Sequence, residues 1–577
     1  MGFIERHKAG LNDLVSHSIV GRYFHLDGSG HPNEIRGARF TTEMRAGLTT
    51  FFTMAYIIAV NASVLTNSGG TCVCNDPVDP TCAKNQEYDL CLLEINRDFV
   101  TATTAIAALG SFLMGLCANL PVALAPAMGL NAYLAYQIVG FHGTGPISYP
   151  IAMTAVFVEG FIFVALSILG VRQWLARIIP ASIKVACGAG IGLFLTLIGL
   201  SYGAGIGAVT GAKATPLSLG GCPVEFLDPD TGACLSHKAT SSTMWLGFLV
   251  GGVLTALLMT YKIRGAIIVG IAIVSICSWP RDTAVTYFPR TVIGDSRFDF
   301  FKNVVGFHSI KKTLVVQEWN LTDKGVGGQF ALAVFTMLYV DILDATGTLY
   351  SMARFSGVVD PVTGDFPRST IAYSVDAISI SIGSLFGSSP VTAFVESGAG
   401  IQEGGRTGLT AMTTGVCFFI ALFFAPIFAS IPPWATGGAL ILVGCMMMRG
   451  VLAINWNYPG DSIPAFVTLM FMPFSYSIAY GLIAGIMSYV IINGVTWAVG
   501  FVSRGKILPP DYDNKEYWSL QADNPRSQPW FMRAMNGDKK FWRSETSDSF
   551  ELQSTEANAK GPDAHVKDLE AHHTKAG

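Results

Sequence analysis

Residues 335–346 read FTMLYVDILDAT, and residues 52–63 read FTMAYIIAVNAS. The two stretches align without gaps, with Phe, Thr, Met, Tyr and Ala in the same places. Asn61 falls opposite Asp344, and Ile58 opposite Asp341. Two more echoes follow in the same order. GSFLMG (110–115), with Pro121-Val122 after it, matches GSLFG (383–387), with Pro390-Val391 after it. IPASIKVACGAG (179–190) matches IPPWATGGALIL (431–442). Chance likeness among apolar helices supplies no reason for a shared order or for matching polar positions. The chain therefore reads as two copies of one unit.

Each copy is built from apolar stretches. Of 577 residues, 51% are hydrophobic and 13% charged, whereas a soluble domain carries about 25% charged residues. Fourteen stretches approach the length that crosses a bilayer: 46–66, 98–120, 122–139, 149–171, 181–206, 243–261, 264–280, 328–353, 370–388, 390–403, 408–431, 434–451, 463–480 and 482–502. Repeat partners lie seven stretches apart, an odd number, so the copies have opposite topology. That is the plan of many secondary transporters, whose broken helices meet near the bilayer midplane. The fold class expected is all-α and polytopic, with fourteen transmembrane segments in a 7+7 inverted repeat.

Segments three and ten interrupt the helical pattern. PVALAPAMGLNAYLAY (121–136) holds Pro121, Pro126 and Gly129, which oppose a continuous helix. In PVTAFVESGAGIQEGGRTGL (390–409) the TAFV run favours a short extended stretch, and ESGAG a turn into a helix. Irregular backbone at membrane depth is tolerated only where protein buries it or it lines a cavity. Two facing half-helices would aim backbone N–H groups at a ligand.

Embedded acids mark the candidate site. Asp341 and Asp344 lie three residues apart, toward one helix face, inside the apolar run 328–352. A charge there costs about 2.5–3.5 kcal/mol on insertion scales, so such residues mark a transport path by default. Asn131 follows the Gly129 break, and Glu396 follows the TAFV run. An amide and carboxylates without a nearby Lys or Arg suit a flat ligand with N–H donors and ring acceptors, such as a purine, and suit an anion poorly. Gly129 and Gly398 would allow close backbone approach. Ser397 and Thr392 are weaker candidates, and Phe394 either stacks on a ligand or packs in the core. Glu159 and Asp376 are the other embedded acids and join Asp341, Asp344 and Glu396 as proton-coupling candidates. The structural alternatives are plain: Asp341 bonded to neighbouring backbone, Asn131 capping a helix, Asp344 fixing the break.

The basic residues orient the chain. Arg36, Arg39, Arg45, Arg172, Arg177, Lys262, Arg264, Arg354, Arg368, Arg406 and Arg449 fall on one side, taken as cytoplasmic, together with both termini. Loop 281–327 is placed outside although it holds seven basic residues; it also carries five acids and the sequon Asn320-Leu321-Thr322, a glycosylation candidate. Cys72, Cys74, Cys82, Cys91, Cys222 and Cys234 fall in outside loops and are disulfide candidates. Cys222–Cys234 is the easiest pairing to imagine, and the spacings fit no familiar zinc pattern. MGFIERHKAG is too polar for a signal peptide. The C-terminal tail is polar and expected to be disordered. Its Pro509-Pro510-Asp511-Tyr512 has the spacing a WW domain reads, a route to ubiquitin-ligase recruitment.

ESGAGIQEGGRTGL (396–409), DATGTL (344–349) and APAMGLNAY (125–133) resemble the AzgA-like purine permeases of the nucleobase–cation symporter (nucleobase–ascorbate) superfamily, fungal members in particular. The likeness spans roughly residues 35–505. It implies a core domain of 46–171 and 328–431, a gate domain of 172–280 and 432–502, an N-tail of 1–45, an extracellular loop of 281–327 and a C-tail of 503–577. It also implies proton-coupled uptake of hypoxanthine, adenine and guanine at the plasma membrane, with no cofactor beyond the proton. The purine would lie between segments three, eight and ten, against Asn131, Asp341 and Glu396, with Asp344 adjacent. The partners are purine nucleobases, the lipid bilayer and, in possible form, a second copy of the chain; nucleic acid is not expected at net charge −3. The rivals are a uracil, pyrimidine or anion transporter on the same fold, and a non-transporting purine sensor. An enzyme is not expected: none of the ten His lies in an apolar stretch.

Overall fold

The computed structural model describes residues 2–32, 34–73, 82, 85–170, 180–201, 205–210, 218–219, 241–263, 265–321, 325–358, 366–504, 506 and 509–515. Eight helices among these are long and apolar enough to cross a membrane. The remaining predicted stretches carry shorter helices or, in segments three and ten, a strand followed by a short helix.

Helix α1 (Gly2–Ser16) comes first. It is followed by α2 (Phe40–Met54) and α3 (Ile57–Thr66), separated at Ala55-Tyr56. The hydroxyls of Thr49, Thr50 and Thr53 back-bond to carbonyls one turn earlier, a habit that bends helices. Helix α4 (Gln86–Leu113) starts where the Asn85 side chain accepts the Glu87 and Tyr88 N–H groups, twelve residues earlier than hydropathy suggests. Next come β1 (Leu124–Pro126) and α5 (Met128–Tyr133), then α6 (Tyr149–Ile168), α7 (Ala181–Leu200), α8 (Ser242–Thr260) and α9 (Ala266–Ser278).

Helix α10 (Val292–Phe301) lies in the predicted outside loop. The second half opens with α11 (Val326–Ser356), unbroken where the aligned stretch of the first half kinks. It continues through α12 (Ser369–Leu385), β2 (Val391–Ala393), α13 (Ser397–Gln402), α14 (Gly408–Ala421), α15 (Pro433–Met447), α16 (Pro459–Phe474) and α17 (Ile478–Val502).

The two broken segments meet. β1 and β2 pair antiparallel, with Leu124 opposite Ala393, Ala125 opposite Thr392 and Pro126 opposite Val391. Neighbours take up the polar groups that a helix would have satisfied. Ala127 N–H donates to Pro390 O at 2.8 Å and Phe394 N–H to Ala123 O at 3.1 Å. The Ser111 hydroxyl serves both the N–H and the carbonyl of Leu124. Ala123 N–H donates to Ser397 Oγ at 3.0 Å. Non-helical backbone at these positions is thus paired, as its depth demands.

Helix packing relies on absent side chains. A Cβ on Gly192 would meet Gly444 O at 2.7 Å, and one on Gly199 would meet Gly437 O at the same distance. Helices α7 and α15 therefore touch backbone to backbone, the small-residue contact usual between membrane helices. Gly160 of α6 meets α12 in the same way, against Ala377 O and Ser381.

Two regions read as connections prove more ordered. The stretch after α10 straps the ends of several helices. Buried Asp98 of α4 accepts from His308 Nε2 at 2.8 Å and from the Lys311 and Lys312 N–H groups. Val315 N–H donates to Leu385 O, Gln317 Nε2 to Ser384 O, and the Thr154 hydroxyl to Glu318 O. Asn320 is exposed on this strap. Cys72 and Cys91 form a disulfide, because α4 carries Cys91 back beside the loop. Cys82 is also disulfide-bonded. Cys74, Cys222 and Cys234 lie outside the described residues, as do Arg172, Arg177, Arg264 and Thr322.

The N-terminal segment folds as well. Phe24, Leu26 and Ala38 bury against Leu409 of α14, and the Tyr23 hydroxyl donates to Leu116 O. His25 stacks on His31 with ring centroids 4.0 Å apart. Burial, then the charges of His31 and Arg368, hold the His25 imidazole below its ordinary 6.5. The fold prefers neutral His25, so this contribution to stability is present above pH 6.5 and lost as pH falls through the lowered value. Amides of residues 20–40 are expected to exchange faster at pH 5.5 than at pH 7.5 after correction for intrinsic rates, and His25→Gln to flatten that difference. At the other end, Tyr512 of the Pro-Pro-Asp-Tyr motif packs edge-on to Tyr458, so a WW domain would have to detach it first. The chain from 516 onward lies outside the described residues.

Candidate functional site

Glu396 sits at the junction of β2 and α13, where the strand turns into the short helix. Its carboxylate is half-buried and accepts from the Tyr56 hydroxyl at 2.7 Å. That hydroxyl also lies 3.6 Å from Met128 Sδ, at the start of α5. The kink between α2 and α3 is what delivers Tyr56 here.

Asp344 is half-buried on α11, beside Thr392 of β2 and Thr348 of its own helix, and it feels the charge of Glu396. Cys187 of α7 lies within electrostatic reach of Asp344 and of Tyr339. Asp341 is fully buried, and neither of its oxygens has a hydrogen-bond partner. The charges acting on it are all acidic: Asp376 of α12, Glu159 of α6 and Asp344. Glu159 is equally buried, with both oxygens unbonded, and it feels the charge of Asp376. The five acids thus form a chain of electrostatic neighbours. It runs from half-buried Glu396 and Asp344, through Asp341, to sealed Asp376 and Glu159.

This order differs from the pairing expected of Asp341 with Glu396. The acid that feels Glu396 is Asp344. Three residues turn a helix about 60° short of a full circle, enough to send Asp344 toward β2 and Asp341 toward α6 and α12.

The other predicted residues fall into place around them. Asn131 is buried on α5; its amide donates to Asn61 O at 3.3 Å, and its own Oδ1 has no partner. Asn61, the counterpart of Asp344, is a structural hub: it donates to Thr103 Oγ1 at 2.7 Å and accepts from the Ser389 hydroxyl at 3.0 Å. A Cβ on Gly129 would strike Ile191 of α7 at 2.7 Å, so this glycine lets α5 and α7 close together. Gly398 has ordinary clearance, with Met352 Sδ at 3.7 Å. Ser397 ties the strand pair together through Ala123, and Phe394 is buried in the main core. Thr392 Oγ1 is buried, and Asp344 is the acid beside it. At the cytoplasmic end expected for them, Glu403 pairs with Arg45, and Arg406 Nη1 donates to Ser356 O. Sequence reasoning missed Tyr56, Met128 and Cys187; the repeated Tyr of the two FTM stretches was the available signal for the first.

A surface groove of about 570 Å³ lies elsewhere, against α10, lined by Arg97, Asp295, Ser296 and Phe300. It includes none of the embedded acids, so the chemistry and this groove are separate places.

The chain as a whole has known relatives. The family model Xan_ur_permease, described as "Permease family", matches residues 89–484. The chain belongs to this family. It is a member of the nucleobase–ascorbate transporter superfamily, a multi-pass membrane permease and not an enzyme. It is similar to "Efflux pump notK'" of Aspergillus versicolor, 61% identical over 92% of both chains. A "Putative xanthine/uracil permease" of Schizosaccharomyces pombe is 57% identical, covering 92% of this chain and 84% of that protein. "Adenine permease AdeQ" of Escherichia coli is 34% identical over 80% of this chain and 89% of its own length. Among solved structures, the transmembrane domain of a cyanobacterial bicarbonate transporter, BicA, aligns with TM-score 0.52 and 15% identity, covering 77% of this chain and 97% of that one. At that identity the likeness concerns the fold alone.

Proposed function

We propose that this permease moves purine nucleobases, hypoxanthine, adenine and guanine, together with protons across the plasma membrane, with both termini in the cytoplasm. The observation that carries this reading is the chain of five acids. Its half-buried end, Glu396 and Asp344, offers acceptors for the N–H groups of a purine. Its sealed end, Asp376 and Glu159, supplies the acidic neighbours among which a coupling proton would be held with Asp341. Among the described residues, no basic side chain is among the charges acting on Asp341 or Asp344, which favours a neutral ligand with donors over an anion. Substrate and proton meet through Asp341, one helical turn from Asp344, so the charge at one end of the chain sets the affinity at the other.

Alternating access follows from a 7+7 inverted repeat with core and gate domains. In support, α6 packs on α12 and α7 on α15 through glycines, whereas the acids sit on α6, α11, α12 and the β2–α13 junction. Gly129 against Ile191 is a place where the two groups of helices would slide. The name of the Aspergillus relative raises outward transport as a second reading. A proton-coupled carrier runs in the direction that its gradients dictate, so direction is a measurement and not a property of the site.

The test is radiolabelled hypoxanthine uptake by cells lacking other purine carriers, with adenine, guanine, xanthine, uric acid and uracil as competitors and a protonophore control. Competition by adenine and guanine, and collapse with the protonophore, are expected. Preferential competition by uracil, or uptake indifferent to the protonophore, would overturn this assignment.

A further inference from the structure

The repeat places two tyrosines in equivalent positions, and only one of them meets an acid. Tyr56 and Tyr339 align in FTMAYIIAVNAS and FTMLYVDILDAT. Tyr56 is 2% exposed, and its hydroxyl donates to Glu396 Oε1 at 2.7 Å. The Tyr339 hydroxyl is buried and has no hydrogen-bond partner. Helix α5 begins at Met128 and α13 at Ser397, so the residue equivalent to Glu396 in the first repeat is Ala127. A tyrosine needed only by the fold would be satisfied in both halves, since a buried unpaired hydroxyl is costly. The bond runs from the first-half tyrosine to the second-half acid, and the position that Tyr339 would reach by the same rule is Ala127, which has no group to accept it.

We propose that Tyr56 is the positioning residue of the substrate site: its hydroxyl holds the Glu396 carboxylate in the orientation that receives the nucleobase. This rests on the purine reading above. The bond occupies one lone pair and leaves the others, since an ionised carboxylate accepts at about four sites. Thr53, one turn before Tyr56, reaches the Glu396 carbonyl at 3.4 Å, so α2 grips both the side chain and the backbone of this residue. The kink at Ala55-Tyr56 aims the phenol at the β2–α13 junction; in α11 the helix runs on, and Tyr339 stacks on Phe335 instead. A fixed carboxylate loses less freedom when the ligand binds, so the effect appears in affinity.

The experiment compares Tyr56→Phe and Tyr339→Phe with the wild type in hypoxanthine uptake, at matched surface levels. Removing a hydrogen bond to a charged group is expected to raise KM about tenfold in Tyr56→Phe, with Vmax within twofold. Tyr339→Phe is expected to leave both parameters within twofold. A merely structural Tyr56 would lower surface level and Vmax and leave KM alone. Wild-type uptake with an unchanged KM in Tyr56→Phe, or equal KM changes in the two variants, overturns the inference. Absence of purine uptake by the wild type overturns the purine reading itself.

Discussion

Glu396→Ala is expected to reduce the Vmax/KM of hypoxanthine uptake at least about a hundredfold, with normal protein at the cell surface. A hydrogen bond to a charged group is worth about 1.5–3 kcal/mol, and each 1.4 kcal/mol is a factor of ten. A purine edge presents more than one N–H group, so losing the carboxylate removes two such bonds and gives about 10²–10⁴. The variant also strands the Tyr56 hydroxyl, now bonded to Glu396 Oε1. The fold should survive, because Glu396 makes no cap bond to α13 with its side chain and the strand pair is held by Ala123, Ser397, Ala127 and Pro390. Uptake assays with surface biotinylation separate the two effects.

Asp341→Asn is expected to abolish accumulation against a gradient while sparing counterflow exchange of bound purine. The amide keeps the volume of the side chain, so no cavity opens in a fully buried place. It cannot carry a proton between Asp344 and the pair Asp376 and Glu159, its acidic neighbours. Accumulation ratios should fall to about one, the equilibrium value for an uncoupled neutral solute. Asp344→Asn, by contrast, touches the half-buried end of the chain and should weaken binding more than coupling. The pair of measurements places each aspartate at its end of the chain.

Much of this architecture was legible in the sequence, for identifiable reasons. Segments three and ten break because Pro121, Pro126 and Gly129 forbid a helix locally and because TAFV prefers an extended backbone. Local rules suffice there. That β1 would pair with β2 was not legible, since it joins residues about 270 positions apart and depends on the two halves interlocking. The kink at Ala55-Tyr56 is likewise hidden: FTMAY and FTMLY carry the same local signals, yet only the first bends. The different surroundings of Asp341 and Asp344 also lay beyond reading. Spacing put both toward one face, and only the neighbours on α6, α12 and β2 separate them. The strap after α10 reads as a loop because it is a polar stretch between two apolar ones. Its order comes from one buried acid, Asp98, that binds two backbone N–H groups and His308.

Accumulation of radiolabelled hypoxanthine, measured at mildly acidic external pH in cells without other purine carriers, tests the coupling of Glu396 to the buried acids most directly. Wild-type protein should concentrate the base above its external level and lose that ability with a protonophore, and Glu396→Ala and Asp341→Asn should not concentrate it at all. Either variant accumulating hypoxanthine like the wild type, at the same surface level, would contradict the assignment of transport to this chain of carboxylates.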